Sequence, residues 1–183
     1  MQTLAELLAG LDGDAGGVTL QLAGEPGIGK SSLLGELADR ARARGHTVLA
    51  GRAAEFEAEL PFGVVCDAMD DWLFGLDGDR LETLAGGLAR ELAVVFPAFE
   101  PLAASHGPEL REERYRAYRA VRALLAAVAA DAPLVVILDD VQWADPGSVE
   151  LMRHLLAHPP RGPVLLALGF RPAQISPQLS AAL

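Results

Sequence analysis

Gly24-Glu25-Pro26-Gly27-Ile28-Gly29-Lys30-Ser31-Ser32 is a short stretch whose residue types and spacing suit one task above others, the enclosure of a polyphosphate. It fits G-x-x-x-x-G-K-[ST], in which glycines let the chain wrap so closely that successive main-chain N–H groups point inward at a phosphate. Lys30 supplies a point charge for β- and γ-phosphate oxygens, and Ser31 offers a hydroxyl oxygen to Mg²⁺. Ser32 follows at a position suited to the α-phosphate. Glu25, Pro26 and Ile28 fill the loop, with Glu25 expected to lie exposed. The competing reading is a glycine-rich turn with a solvated lysine, and the flanking elements weigh against it.

Leu134-Val135-Val136-Ile137-Leu138-Asp139-Asp140 forms the second half of the constellation, an apolar strand that delivers two carboxylates at its C-terminal end. Ligands of open α/β sheets bind at that edge. Asp139 fits a metal role through coordinated water. Asp140 points the other way and is the candidate to polarise an attacking water. Acidic residues that end a strand also form ordinary turns; the pairing with a phosphate loop favours the chemical reading. Arg171, after a further apolar run, is placed to sense a γ-phosphate, though a surface arginine would look the same. Trp143 is expected to pack on the sheet and Asp145 to cap the next helix.

These residues need elements to hold them. Val18 to Ala23 reads as a strand and the pattern Leu33, Leu34, Leu37, Ala38, Ala41 as a helix, so the loop joins strand to helix. Gly45 stops that helix before a strand from His46 to Ala50. Gly51 to Phe62 is polar and irregular, Val64 to Phe74 and Leu81 to Val95 read as helices, and Pro97 to Pro108 as a loop. Gly107 and Pro108 suit the start of a helix that runs to about Asp131, with Tyr115, Tyr118, Val121, Leu125 and Val128 on one face. Asp145 and Pro146 begin a helix that His158 and Pro159 end, and Val164 to Phe170 is a fourth strand before a polar tail. The arginines at 111, 114, 116, 119 and 122 read as a solvated helical face, and the four histidines share no pattern.

Composition narrows the function classes. With 183 residues and 51% hydrophobic content, the chain suits one domain with a sizeable core, led in by residues 1–16. A net charge of −10 opposes direct DNA binding and anionic membrane surfaces, so an anion must be held by focused local groups. No apolar run is long enough to span a bilayer. Cys66 stands alone, which argues against disulfides or a zinc site, and Met1 to Leu8 lacks the basic start of a secretory signal. A cytoplasmic protein is expected.

Together, the segments GEPGIGKSSLL, GRAAEFEAELPFGVV, LVVILDDVQWADPGSVELM and LLALGFRP resemble the ATPase domain of large LuxR-family transcriptional regulators. Those are signal-transducing ATPases with numerous domains (STAND), a branch related to AAA+ proteins. The resemblance implies an α/β fold, a P-loop NTPase three-layer sandwich with a mainly parallel sheet. Its phosphate-loop strand neighbours the Arg171 strand, with the acidic strand next and the His46 strand at the edge. It also implies a switch between ATP and ADP states with Mg²⁺, read by helical, winged-helix and DNA-binding modules that would follow Leu183. Arg171 matches the sensor position, and Asp139 and Asp140 the metal and catalytic acids. The family's upstream Gly-Arg element, which helps hold adenine, has no counterpart between Met1 and Gly17, so base recognition is expected to be weakened. A fifth strand and a helical lid are expected to be missing, leaving the phosphate-loop strand as an apolar edge prone to self-association.

Three functions follow as alternatives: a slow Mg-dependent ATPase switch, a small-molecule kinase with an acceptor site between Gly51 and Pro108, and an interaction module that keeps nucleotide without hydrolysing it.

Overall fold

The computed structural model describes residues 4–13, 16–55, 60–103 and 111–183. Four strands, β1 (Val18–Ala23), β2 (Thr47–Arg52), β3 (Leu134–Asp139) and β4 (Val164–Phe170), form one sheet in the order β1-β4-β3-β2, with every pair parallel. Parallel neighbours cannot be joined by tight hairpins, so helices cross between them and cover both faces. Helices α1 (Leu4–Asp12) and α2 (Lys30–Ala43) cover one face, where Leu8, Leu11, Leu34 and Leu37 pack on Val135, Ile137, Leu165 and Ala167. The other face carries the larger core, built by α3 (Gly63–Phe74), α4 (Gly78–Ala85), α5 (Ala89–Leu92), α6 (Arg111–Ala129) and α7 (Pro146–Ala157). A short α8 (Pro177–Ser180) ends the described chain. Every residue of β3 and β4 is buried, which is why both read as unbroken apolar runs without alternation. This three-layer α/β arrangement is the expected one, and its four strands stand in the expected order.

Several boundaries differ from expectation for local reasons. The strand expected from His46 starts at Thr47 and continues through Gly51 to Arg52, because β2 pairs with β3 to its end, with Arg52 opposite Asp139. The helix expected over Leu81 to Val95 is two, since Gly86 and Gly87 take φ of 53° and 83° and turn the chain between α4 and α5. Pro97–Leu102 is a 3-10 turn rather than open loop, and the expected helix start at Gly107 and Pro108 lies outside the described residues. Tyr115 does not join the buried face of α6; it is 53% exposed and sets its ring edge-on to His154. Strand β1 is an edge strand, but its exposed residues are Thr19, Gln21 and Ala23, a less apolar border than expected.

Parallel strands share one direction, so their C-terminal ends gather at one edge of the sheet. Gly24, Arg52, Asp139 and Arg171 all stand there, each ending or following a strand.

Candidate functional site

The loop between β1 and α2 keeps its shape through backbone conformations that suit glycine. Gly27 and Gly29 take φ of 78° and 98°, and a Cβ at either would meet no protein atom within 4 Å, so conformation rather than packing calls for glycine. Gly29 precedes Lys30, the first residue of α2, and the unpaired N–H groups of that helix start face the loop. Lys30 Nζ donates to the carbonyl oxygens of Gly24 (2.7 Å) and Glu25 (3.1 Å), which folds the side chain back along the loop. Glu25 and Ile28 are exposed, Ile28 at 70%.

Alternation along β3 sends Asp139 toward the α2 face, where Ser31 waits. The Ser31 hydroxyl donates to Asp139 Oδ2 at 2.6 Å, joining residues 108 positions apart. Asp139 Oδ1 accepts from the Asp140 amide at 2.8 Å. β4 makes room for this carboxylate: Leu138 pairs with Leu168, so Gly169 lies beside Asp139, and a Cβ on Gly169 would overlap Asp139 Oδ1.

Asp140 departs from strand geometry with φ 53° and opens a 3-10 turn over Val141–Trp143. Its carboxylate is only 10% exposed, and both of its oxygens accept hydrogen bonds. Arg52 reaches across from β2 and donates twice to Oδ2, from Nε at 2.8 Å and Nη2 at 2.5 Å. Gln142 Nε2 donates to Oδ1 at 2.9 Å. Burial alone would raise the Asp140 carboxyl; the bonds from Gln142 and Arg52 and the charges of Arg52 and Arg171 outweigh it and hold the group below the usual carboxylate range. Arg171 gives its backbone N–H to Gln142 Oε1 at 3.1 Å and its Nη1 to Gln174 at 3.3 Å, while its Nε is buried with no protein partner.

These groups enclose a cavity of about 230 Å³ lined by the phosphate loop with Ser31, Ser32, Arg52, Asp140 and Arg171. The volume falls below the roughly 300–1,000 Å³ of whole small-molecule pockets. It suits a polyphosphate chain, with a base and ribose left to lie outside it. Three cations, Lys30, Arg52 and Arg171, belong to this one site. Among the expected residues, Gly24, Glu25 and Ile28 shape the loop without lining the cavity.

Arg52 is the residue that sequence reasoning missed, and the signal was the Gly-Arg pair at the end of β2. In the sequence, Gly51 and Arg52 read as the start of irregular chain, and only the pairing of β2 with β3 sets Arg52 opposite Asp139. Asp145 proves more than a cap of α7: buried at 4% exposure, it accepts from Ser148 N and Oγ and also from the amides of Phe62 (2.9 Å) and Gly63 (3.0 Å) at the start of α3. Trp143 packs half-buried against the larger core, as expected. Among the described residues, no cluster of three or more His, Cys, Asp or Glu side chains is arranged to hold a metal. Magnesium beside a nucleotide needs only one or two protein oxygens, since phosphates and water complete its shell. Ser31 and Asp139, joined at 2.6 Å, could supply those oxygens.

A strand, glycine loop and helix facing a carboxylate on a nearby parallel strand define a P-loop NTPase. More narrowly, the chain belongs to the AAA ATPase domain family, which it matches over residues 1–167. It is also 30% identical over 195 residues to a protein described as uncharacterized from Rhizobium meliloti (strain 1021). That alignment covers 100% of this chain and 19% of the relative, so the chain spans about a fifth of the curated relative it matches. No solved structure matches with significance. Among the described residues, no helix is long and apolar enough to cross a membrane.

Proposed function

We propose that this domain is a regulatory switch that binds ATP or ADP with Mg²⁺ and hydrolyses ATP slowly, within a larger cytoplasmic regulator of the LuxR-related STAND type. The observation that carries the reading is the 2.6 Å contact of Ser31 with Asp139 beneath a cavity lined by Lys30, Arg52 and Arg171. The loop amides and Lys30 bind the phosphates; Ser31 and Asp139 would hold the metal, which when bound would supply charge neutralisation to the phosphates. In hydrolysis, a water oxygen bonds to the γ-phosphorus as the bond to the β–γ bridging oxygen breaks, and a water proton passes to Asp140. ADP and inorganic phosphate leave.

The state of Asp140 supports slow turnover. A general base works best with a pKa near the working pH, and this carboxylate is held low with both oxygens already bonded. The same observation favours a second reading, in which nucleotide is bound and never hydrolysed. The wider regulator rests on the four motif segments and on the length of the Rhizobium relative.

Titration of the protein with fluorescent ATP and ADP, with and without Mg²⁺, tests the reading. Lys30→Ala is expected to weaken both nucleotides by about 10- to 100-fold, the worth of a charge-assisted hydrogen bond. Unchanged affinity in Lys30→Ala would remove the phosphate cradle from the proposal. Phosphate release that is slow in the wild type and lost in Asp140→Asn selects the ATPase, while none in either selects the binding module. A switch also requires ATP and ADP to yield different limited-proteolysis patterns.

A further inference from the structure

Resting on the nucleotide-binding reading above, we infer that Gln142 is a positioning residue whose single side-chain amide ties the acid at the end of β3 to the arginine at the end of β4. Asp140 and Arg171 both line the phosphate cavity, yet no direct bond joins them. Gln142 supplies the link, with Nε2 donating to Asp140 Oδ1 at 2.9 Å and Oε1 accepting the Arg171 backbone N–H at 3.1 Å.

The turn that carries Gln142 is built to aim it. Asp140 takes a left-handed conformation, Trp143 N donates to Asp140 O at 3.0 Å, and Ala144 N to Val141 O at 3.1 Å. Val141 is anchored in the core at 1% exposure, so the turn is held from beneath and Gln142 folds back over the acid. An amide is well suited to the task because it carries a donor and an acceptor on one rigid plane and adds no charge beside two carboxylates. Glutamate could still accept from Arg171 but would face Asp140 with like charge. Methionine fills a similar volume and does neither.

A displacement at either end therefore reaches the other through one plane. Movement of Arg171 toward or away from a phosphate draws on the backbone that Gln142 holds and changes how firmly the amide holds Asp140. Gln142 does not line the cavity; it sets the orientation of the residue that meets the water.

Gln142→Met and Gln142→Glu, compared with the wild type, test this by ATP and ADP titration, steady-state hydrolysis and amide exchange at Arg171. Both variants are expected to bind Mg-ADP within about 3-fold of wild type while kcat falls at least about 10-fold, part of the 10²–10⁴ a placed acid–base group contributes. Their preference between ATP and ADP is expected to shrink, and Gln142→Met alone is expected to speed exchange of the Arg171 amide. Wild-type kcat and wild-type nucleotide preference in both variants would overturn the inference, as would equal weakening of ATP and ADP with kcat unchanged, the mark of a merely structural role. If the wild type binds without turnover, nucleotide preference and Arg171 exchange decide. A wild type that binds neither nucleotide overturns the underlying reading itself.

Discussion

Gly169→Ala should damage both the fold and the metal side of the site, through one methyl group. The new Cβ would stand 2.9 Å from Leu34 Cδ1 and 3.3 Å from Asp139 Cγ, and closer still to Asp139 Oδ1, inside the 3.0 Å limit that real Cβ contacts respect. Gly169 is buried in β4 between β1 and β3, so the strand cannot simply step aside. The carboxylate must rotate, and it then gives up the Ser31 hydroxyl at 2.6 Å and the Asp140 amide at 2.8 Å. Overpacking costs about 1–3 kcal/mol, and a hydrogen bond to a charged group is worth about 1.5–3 kcal/mol, so partial loss of both gives about 2–4 kcal/mol.

For a chain of this size such a loss lowers Tm by on the order of 5–15 °C, measurable by circular dichroism or calorimetry. The second readout is the Mg²⁺ dependence of nucleotide affinity, which should largely vanish because Asp139 no longer faces Ser31. Gly169→Ala with wild-type Tm and wild-type Mg²⁺ response would refute the reasoning, since it would mean that Asp139 has room the geometry denies it.

Asp145→Ala removes the acceptor for four donors at the starts of α3 and α7, and should cost about 1–4 kcal/mol in urea denaturation, from about 0.5–2 for each of the two lost caps. His154 is held below the ordinary histidine range by burial and by the nearby charges of His158, Arg122 and Arg119, so the unfolded chain binds the proton more readily. Stability should therefore be full above about pH 6.5 and decline as pH falls below it; His154→Gln should flatten that slope in pH-dependent melting curves. Burial beside Asp70 and Asp145 pushes the Cys66 thiol up to about 12, and its Sγ donates to Val95 O at 3.1 Å. Iodoacetamide at pH 8 should label it far more slowly in the folded protein than in urea.

What sequence could reveal followed the range of the interactions involved. The phosphate loop and the acidic strand were legible because each is a contiguous pattern: glycine spacing encodes a backbone path, and an apolar run encodes a strand buried on both faces. Arg52 was not, because its meaning comes from Asp140, 88 positions away, and arises only when β2 lies against β3. Gly169 sat inside a correctly read strand, yet its necessity depends on the register that sets it beside Asp139. Asp145 showed its local cap through Ser148 three residues on, whereas its hold on Phe62 and Gly63 is long-range. The Gly86-Gly87 break is visible in the sequence, but the apolar pattern on either side of it reads as one helix.

A net charge of −10 works against a site for a polyanion, and the geometry resolves the conflict by distance. Solvent and salt screen surface acids beyond about 8 Å, so the cavity feels mainly its own lining. That lining holds Lys30, Arg52 and Arg171 together with the positive end of α2, against Asp140, and Asp139 lies behind it on the Ser31 hydroxyl. Arg52 is already committed to Asp140, which leaves Lys30 and Arg171 to meet a triphosphate while Asp139 opposes it. ATP brings one more negative charge than ADP to these cations, and a divalent cation between Ser31 and Asp139 would offset it. Affinity for ATP should therefore depend on Mg²⁺ more steeply than affinity for ADP, and the difference should shrink when Asp139 is replaced by asparagine.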